Sequence, residues 1–296
     1  MRSFAIASVL CALVVPTWAD DLPEVKSRSA VVLDVESGAE IFGKDADEIR
    51  PIASTTKIFV AMAVRKKGID LNGWTEITRT DSRAAAGGSR TRLDIGEKFT
   101  NRDLLRAMLI SSDNRAPTAL GRAVGWDPDE LVAAMNKLAK SLHLKRTKFT
   151  DTSGLRGNVS TAREMAIALR AALDDDVLRE IMRTQWVEVV AKDGYPKLGY
   201  GSTNQPLVVK KHDVIGGKTG YTKPAGYCFI TGAKFDGREV VMAFLGAEGK
   251  LTRFGDFNRV ASWLERGAPG AKIVTKRPKR SPPKLDVEVR GRVATP

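Results

Sequence analysis

Cysteine and histidine are scarce in this chain, whose 296 residues include two of each. Cys11 lies in an apolar N-terminal segment; if that segment is removed, Cys228 stands alone and an intrachain disulfide is impossible. Zinc sites built on two or four cysteines are then excluded, and His143 and His212 show neither HExxH nor another paired spacing. We therefore expect no metal and no other cofactor. A Ser-His-Asp catalytic triad is possible in principle, but two histidines leave few candidates for its base.

A long hydrophobic run is also missing. The apolar segment from Phe4 to Val15 is shorter than the roughly 20 residues that a membrane-spanning helix needs. It follows a positively charged start at Arg2 and leads to Ala19, which is the pattern of a secretory signal peptide. We predict a signal peptide over 1–19 and export across the inner membrane to the periplasm or cell envelope. A retained anchor is the alternative.

Acidic residues are fewer than basic ones, 35 against 48, so the net charge is +13. More than half of this charge falls in 266–296, where nine lysine and arginine residues accompany two acidic residues and several prolines. We expect a flexible tail that either contacts anionic envelope surfaces by electrostatic attraction or stays solvated without a partner. The export signal argues against nucleic acid, the usual partner of such a patch in the cytosol.

Hydrophobic patterning predicts a strand hairpin, a block of helices, a set of antiparallel strands and a closing helix. Residues 54–64 read as a helix that is apolar on nearly every face, which places it in a core. The other predicted strands lie at 30–35, 39–42, 186–191, 215–221, 227–235 and 239–246, and Asp236-Gly237 predicts a hairpin turn between the last two. Helices are predicted to start near Thr100, Arg115, Asp127, Thr161 and Arg253, with Thr161 and Glu164 expected to form a capping box. This order predicts an α+β protein whose antiparallel sheet is completed by both ends of the chain.

Three short motifs carry the chemistry: STTK at 54–57, SDN at 112–114 and KTG at 218–220. Each is weak alone, because 281–284 also fits SxxK and 202–204 also fits SxN. A lone serine at a helix start is usually a cap, and a lone SDN is usually a turn. Context favours the first set, since 54–57 opens the core helix, 112–114 separates two helices and 218–220 follows a strand.

The spacing within 54–57 suits nucleophilic catalysis. Residues three apart on a helix share a face, so the Lys57 amine can reach the Ser54 hydroxyl and remove its proton. An exposed lysine titrates near ~10.4, but burial, nearby positive charge and a helix N-terminus all favour the neutral amine. We expect the apolar run after Lys57 to supply burial and Lys218 to supply the second charge.

The three motifs in this order resemble those of the penicillin-binding proteins and serine β-lactamases. The resemblance is closest to the low-molecular-mass D-alanyl-D-alanine carboxypeptidases and endopeptidases, and it extends over about 28–267, including 149–155 and 225–227. It implies a five-stranded antiparallel sheet flanked by helices, with an all-helical lobe of about 65–165 inserted into a catalytic domain of 20–265. It also implies a serine DD-peptidase that acts on peptidoglycan stem peptides and binds β-lactams covalently.

The resemblance also implies roles for the residues of the first two motifs. Ser54 would form the acyl-enzyme and Lys57 would be its general base. Ser112 would relay a proton to the leaving D-alanine amine, and Asn114 would orient Lys57 and the substrate amide.

The KTG motif would bind substrate. In the same resemblance, Lys218 would tune charge, Thr219 would bind the terminal carboxylate, and Gly220 and Tyr221 would complete the substrate strand. The backbone N–H groups of Ser54 and Tyr221 would form the oxyanion hole.

The sequence leaves three functions open: a DD-peptidase, a β-lactamase and a non-catalytic wall-binding protein. A β-lactamase of class A would need a glutamate followed four residues later by asparagine, and none of Glu130, Glu164, Glu180 and Glu188 meets this spacing. We therefore expect a persistent penicillin adduct on Ser54. A non-catalytic wall-binding homologue is the third alternative. Between carboxypeptidase and endopeptidase the chain's shortness leans slightly toward the endopeptidase.

Overall fold

The computed structural model describes residues 22–267. The predicted signal peptide, 1–19, and residues 268–296 of the predicted tail lie outside the described residues. Within 22–267, none of the helices combines the length and apolar character that spanning a bilayer requires.

Strands open and close the described range, and helices fill most of its middle. The strands are β1 (Ser29–Asp34), β2 (Glu40–Lys44), β3 (Arg50–Pro51), β4 (Trp74–Glu76), β5 (Lys98–Thr100), β6 (Val159–Ser160), β7 (Trp186–Val190), β8 (Lys197–Gly201), β9 (Asp213–Thr222), β10 (Gly226–Phe235) and β11 (Arg238–Ala247). The helices are α1 (Lys57–Lys66), α2 (Arg79–Ala84), α3 (Asn101–Ser111), α4 (Ala116–Ala123), α5 (Pro128–Ser141), α6 (Ala162–Leu173), α7 (Asp176–Arg183), α8 (Gln205–Val209) and α9 (Thr252–Glu265).

Five strands form one antiparallel sheet in the order β2-β1-β11-β10-β9. Early and late parts of the chain meet in it, because β1 pairs with β11. β10 and β11 are joined at Asp236 and Gly237, whose φ values of 48° and 81° suit a two-residue hairpin turn. The predicted α+β fold with a five-stranded antiparallel sheet is confirmed.

Both faces of this sheet are covered by helices. On one face α9 places Phe254 and Phe257 edge-on against Phe229 of β10. On the other face α6 crosses β1, β10 and β11, and α1 packs behind it among α3, α4 and α5. The side chains of α1 from Ile58 to Val64 are at most 4% exposed. Since each large buried aliphatic side chain contributes about 1.5–3 kcal/mol, this helix is firmly held.

Local expectations differ from the structure in three places. β7 pairs with β8, outside the main sheet, and the two glycines of β8 hid that strand in the sequence. Lys218 lies inside β9, which agrees with the strand predicted at 215–221, so the motif at 218–220 does not follow a strand as its context suggested. The Thr161 hydroxyl caps α6 at the Glu164 N–H, but the Glu164 carboxylate accepts from the backbone N–H of Arg146, so only half of the expected capping box forms.

Candidate active site

Ser54 lies in a 3₁₀ turn, Ala53–Thr56, that leads directly into α1. Sequence analysis placed it on the helix itself. Ala53 has a φ of 48°, and such left-handed backbone costs a residue with a side chain roughly 1–2 kcal/mol. The buried Thr55 holds the turn through its hydroxyl, which donates to the Ile52 carbonyl at 2.7 Å. Ser54 itself is half-buried, so its hydroxyl remains reachable.

The Lys57 amine is the centre of the site. Lys57 is fully buried, and its Nζ lies 2.8 Å from Ser54 Oγ and 2.7 Å from Asn114 Oδ1. The carbonyl of Ser153 accepts a third hydrogen bond from the amine at 3.2 Å and also accepts from Ser54 Oγ at 3.3 Å. The predicted proximity of serine and lysine is therefore present, with the amide of the second motif beside it.

Burial lowers the pKa of Lys57 to about 7, while the carboxylates of Asp113 and Asp151 act in the opposite direction. At neutral pH a large share of this amine is therefore uncharged and able to accept a proton. Sequence analysis expected the positive charge of Lys218 to lower the pKa of Lys57, but Lys218 is not among the groups that shift it. Lys218 is itself buried, and its burial together with the nearby positive charges of Lys57 and Arg253 lowers its own pKa.

The second motif forms the turn between α3 and α4. Ser112 adopts a left-handed conformation with φ of 66°, and within 22–267 its hydroxyl makes no hydrogen bond. The Asp113 carboxylate is buried and accepts from the backbone N–H groups of Arg92 and Arg115 and from the Tyr200 hydroxyl at 3.4 Å. Burial raises the pKa of Asp113. These contacts fix the turn that presents the residues on either side.

The loop 151–156 supports Lys57, although sequence analysis assigned it no catalytic role. Asp151 accepts four backbone N–H bonds, three on Oδ1 from Ser153, Gly154 and Leu155 and one on Oδ2 from Arg156. This holds the Ser153 carbonyl against Lys57. The only sequence signal for it was the resemblance of 149–155 to the family.

The third motif lies on β9, the edge strand beside Ser54. Lys218 is buried and its Nζ donates to the Thr219 carbonyl at 2.9 Å. A Cβ on Gly220 would lie 2.9 Å from the Ser54 nitrogen, so glycine is what lets the strand approach the 3₁₀ turn. Arg253 of α9 donates to the Gly220 carbonyl at 2.8 Å and secures the strand from behind.

The two residues beside Gly220 face different surroundings. Thr219 Oγ1 lies 2.7 Å from Thr203 Oγ1. The segment 202–204, which fits SxN but was set aside in favour of 112–114, therefore borders the site. Tyr221 is half-exposed and stacks on Tyr227 with ring centroids 4.3 Å apart. Of the predicted site residues, Ser54 and Asn114 contact Lys57, Ser112 lies in the same turn as Asn114, and Gly220 lies against the Ser54 backbone with Lys218, Thr219 and Tyr221 beside it on β9. Asp113, Asp151, Ser153 and Thr203 are the neighbours that sequence analysis did not name.

Three of the glutamates considered for deacylation have other partners. Glu130 closes the cap of α5 at Asp127, Glu164 accepts from Arg146, and Glu180 pairs with Arg102. Among residues 22–267 there is also no cluster of three or more His, Cys, Asp or Glu side chains that could hold a metal ion.

This α+β fold brings a serine, a buried lysine and the edge strand β9 together at one site, an arrangement that suits a serine hydrolase working through a covalent acyl-enzyme. A family model described as D-alanyl-D-alanine carboxypeptidase matches residues 17–249. The chain belongs to this family of serine-type DD-peptidases, as its motifs predicted.

Named relatives agree with that assignment. A D-alanyl-D-alanine endopeptidase of Pseudomonas aeruginosa is 32% identical over 245 residues, 82% of this chain and 79% of the relative. A D-alanyl-D-alanine endopeptidase of Escherichia coli is 29% identical over 262 residues, 87% of this chain and 84% of the relative. A solved penicillin-binding protein homologue of Mycobacterium tuberculosis has a TM-score of 0.76 and 28% identity, covering 85% of this chain and 95% of its own.

Proposed function

We propose that this protein hydrolyses D-alanyl peptide bonds of peptidoglycan with Ser54 as nucleophile and Lys57 as general base. The observation that carries the proposal is the buried Lys57 amine, 2.8 Å from Ser54 Oγ with its pKa lowered to about 7. A base whose pKa lies near the working pH combines a populated neutral form with useful driving force for proton transfer.

Acylation follows from this pair. Lys57 accepts the Ser54 proton as Ser54 Oγ attacks the D-alanyl carbonyl, and the carbon–oxygen bond of the acyl-enzyme forms. The backbone N–H groups of Ser54 and Tyr221 stabilise the oxyanion, a contribution worth about 10²–10³ in rate per donor. The approach of Gly220 to the Ser54 nitrogen supports this assignment, because it brings the two backbone segments together.

The leaving group then departs as the carbon–nitrogen bond breaks. Ser112 relays the proton from Lys57 to the departing amine, and Asn114 orients Lys57 and the substrate amide. Thr219 binds the terminal carboxylate, with Lys218 adjusting the charge beside it. Lys57 next takes a proton from a water molecule whose oxygen attacks the acyl carbon; the ester bond to Ser54 breaks, Ser54 Oγ regains the proton and the shortened peptide leaves.

The preferred substrate in this proposal is a cross-linked peptide. The two endopeptidases share four-fifths of their length with this chain, and carboxypeptidase activity on pentapeptides uses the same site. Digestion of defined cross-linked dimers and pentapeptides, followed by mass spectrometry, distinguishes the two. Faster release of D-alanine from pentapeptides than cleavage of dimers would reverse the preference.

The cellular setting belongs to the same proposal. Residues 1–19 act as a cleaved signal peptide, 20–265 form the catalytic domain with its helical lobe, and the enzyme works in the periplasm or cell envelope. The basic tail, 266–296, contacts anionic envelope surfaces. The support is the sequence pattern described above and the peptidoglycan substrate of the family.

Intact-protein mass spectrometry with benzylpenicillin tests the proposal. The wild type should gain one persistent penicilloyl adduct, because none of the four glutamates between the second and third motifs has the spacing that a class A β-lactamase uses for hydrolysis, and Ser54→Ala should gain none. Lys57→Arg should acylate about 10²–10⁴-fold more slowly, since a guanidinium stays protonated and cannot act as base. An adduct on Ser54→Ala, or rapid turnover of penicillin by the wild type, would contradict the mechanism.

A further inference from the structure

A polar cleft of about 330 Å³ opens at the turn between β9 and β10, next to the proposed active site. Its walls come from four parts of the chain: the approach to β1, β3, the β9–β10 turn and the end of β11. The residues that matter here are Arg28, Arg50, Tyr221, Lys223 and Glu248. Arg50 precedes Ser54 by four residues, so the cleft and the nucleophile share one short segment.

Positive charge dominates this cleft. Arg28 pairs with Glu248 at 3.3 Å, but both side chains are well exposed, which makes the pair weak. Arg50 uses one guanidinium nitrogen for Glu48 at 2.7 Å, and its buried Nε has no hydrogen-bond partner within 22–267. Lys223 is exposed and forms no ion pair in that range. The exposed Lys223 amine and the weakly paired Arg28 therefore remain available to an incoming anion, and Arg50 adds positive charge from the buried wall of the cleft.

The proposed reaction fixes which part of a substrate reaches this cleft. Thr219 takes the terminal carboxylate of the leaving group and Tyr221 the reacting carbonyl, so the acyl-donor peptide continues along the edge of β9 toward Lys223. β9 ends at Thr222 and Lys223 opens the turn that follows, so two residues of chain place Lys223 within about 7 Å of Tyr221. That distance matches the second residue on the N-terminal side of the D-alanine that acylates Ser54.

We propose that Arg28, Arg50 and Lys223 bind a free carboxylate on that residue of the acyl-donor peptide, and that the enzyme therefore prefers stem peptides whose carboxylate is not amidated. This inference rests on the proposed function, since it assigns a specificity site to the same substrate. The site contacts the substrate away from the reacting atoms, so its effect is on substrate choice.

Two synthetic peptides that differ in one group test the site. Both end in acetyl-lysyl-D-alanyl-D-alanine; one begins with a γ-linked D-glutamyl residue with a free α-carboxylate and the other carries the α-carboxamide. We expect wild-type kcat/KM for D-alanine release to favour the carboxylate about fivefold, as a partly exposed ion pair of about 1 kcal/mol would give. Lys223→Gln should reduce the ratio toward one, and Lys223→Arg should keep it.

Matched controls separate this inference from the proposed function. Lys234→Gln removes the same charge at the opposite, exposed end of β10 and should keep the wild-type ratio. Arg28→Gln is a second variant, useful if Lys223→Gln fails to fold as judged by penicillin labelling. Competition of the two peptides against labelling of Ser54 reports the same preference without turnover. Equal ratios for wild type and Lys223→Gln would overturn the site, whereas absence of labelling and of D-alanine release in the wild type would overturn the function.

Discussion

Lys57 is held between two opposing influences. Its burial favours the neutral amine, and the nearby carboxylates of Asp113 and Asp151 favour the ammonium. Hydrogen bonds to Asn114 and Ser153 fix its position without removing its ability to accept a proton. Together they set the pKa of Lys57 at about 7. Burial alone would lower this pKa further, and the carboxylates alone would raise it.

The charge of Asp113 is open to a direct test. Because that carboxylate raises the pKa of Lys57, Asp113→Asn should move the rising limb of the acylation rate to lower pH. The measurement is the pH profile of Ser54 acylation by benzylpenicillin. Asp94→Asn removes an exposed carboxylate and serves as the control that should leave the limb in place. A limb that moves to higher pH in Asp113→Asn would refute the electrostatic account.

At the scale of elements, the site depends on the close approach of β9 to the 3₁₀ turn before α1. Gly220→Ala should lower the rate of Ser54 acylation by at least about tenfold, because the new methyl group would meet the Ser54 nitrogen and displace an oxyanion donor. Gly201→Ala is the matched control, since a Cβ at that strand position has no neighbour within 4 Å. Stopped-flow acylation measures both; equal rates would show that the approach is not needed.

Periodic elements were predictable and irregular ones were not. The apolar run of α1, the Asp127 cap of α5 and the turn at Asp236 are local signals, and the structure confirms each. The positive φ of Ala53 depends on contacts distant in sequence, such as the packing of Gly154 against its carbonyl, which no local pattern reveals. Long-range packing likewise brings Thr203 to Thr219.

At the scale of the whole molecule, α9 joins the two ends of the described chain to the active site. Buried Asp256 accepts hydrogen bonds from the backbone N–H groups of Lys26 and Ser27, and Arg253 one turn earlier donates to Gly220 on β9. In the sequence, the composition becomes basic and proline-rich from about 266, just after this helix ends. Any removal of the basic tail should therefore leave α9 whole.

Deletion of 268–296 tests the tail's proposed role. The shortened protein should lose most salt-dependent retention on vesicles that contain anionic phospholipid, since this segment holds eight basic residues and two acidic ones. A full-length chain with those eight residues changed to glutamine should behave like the deletion, and penicillin labelling of Ser54 verifies folding. Unchanged retention in both proteins would exclude electrostatic attachment by the tail.

The most direct test of the central claim is the pH dependence of wild-type Ser54 acylation by benzylpenicillin, measured from about pH 5 to about pH 10. Only the neutral form of Lys57 can take the serine proton, so the second-order rate constant should rise with pH through a midpoint near 7 and then level off. A rate constant independent of pH over this range, or a midpoint near the ~10.4 of an ordinary lysine, would contradict the account.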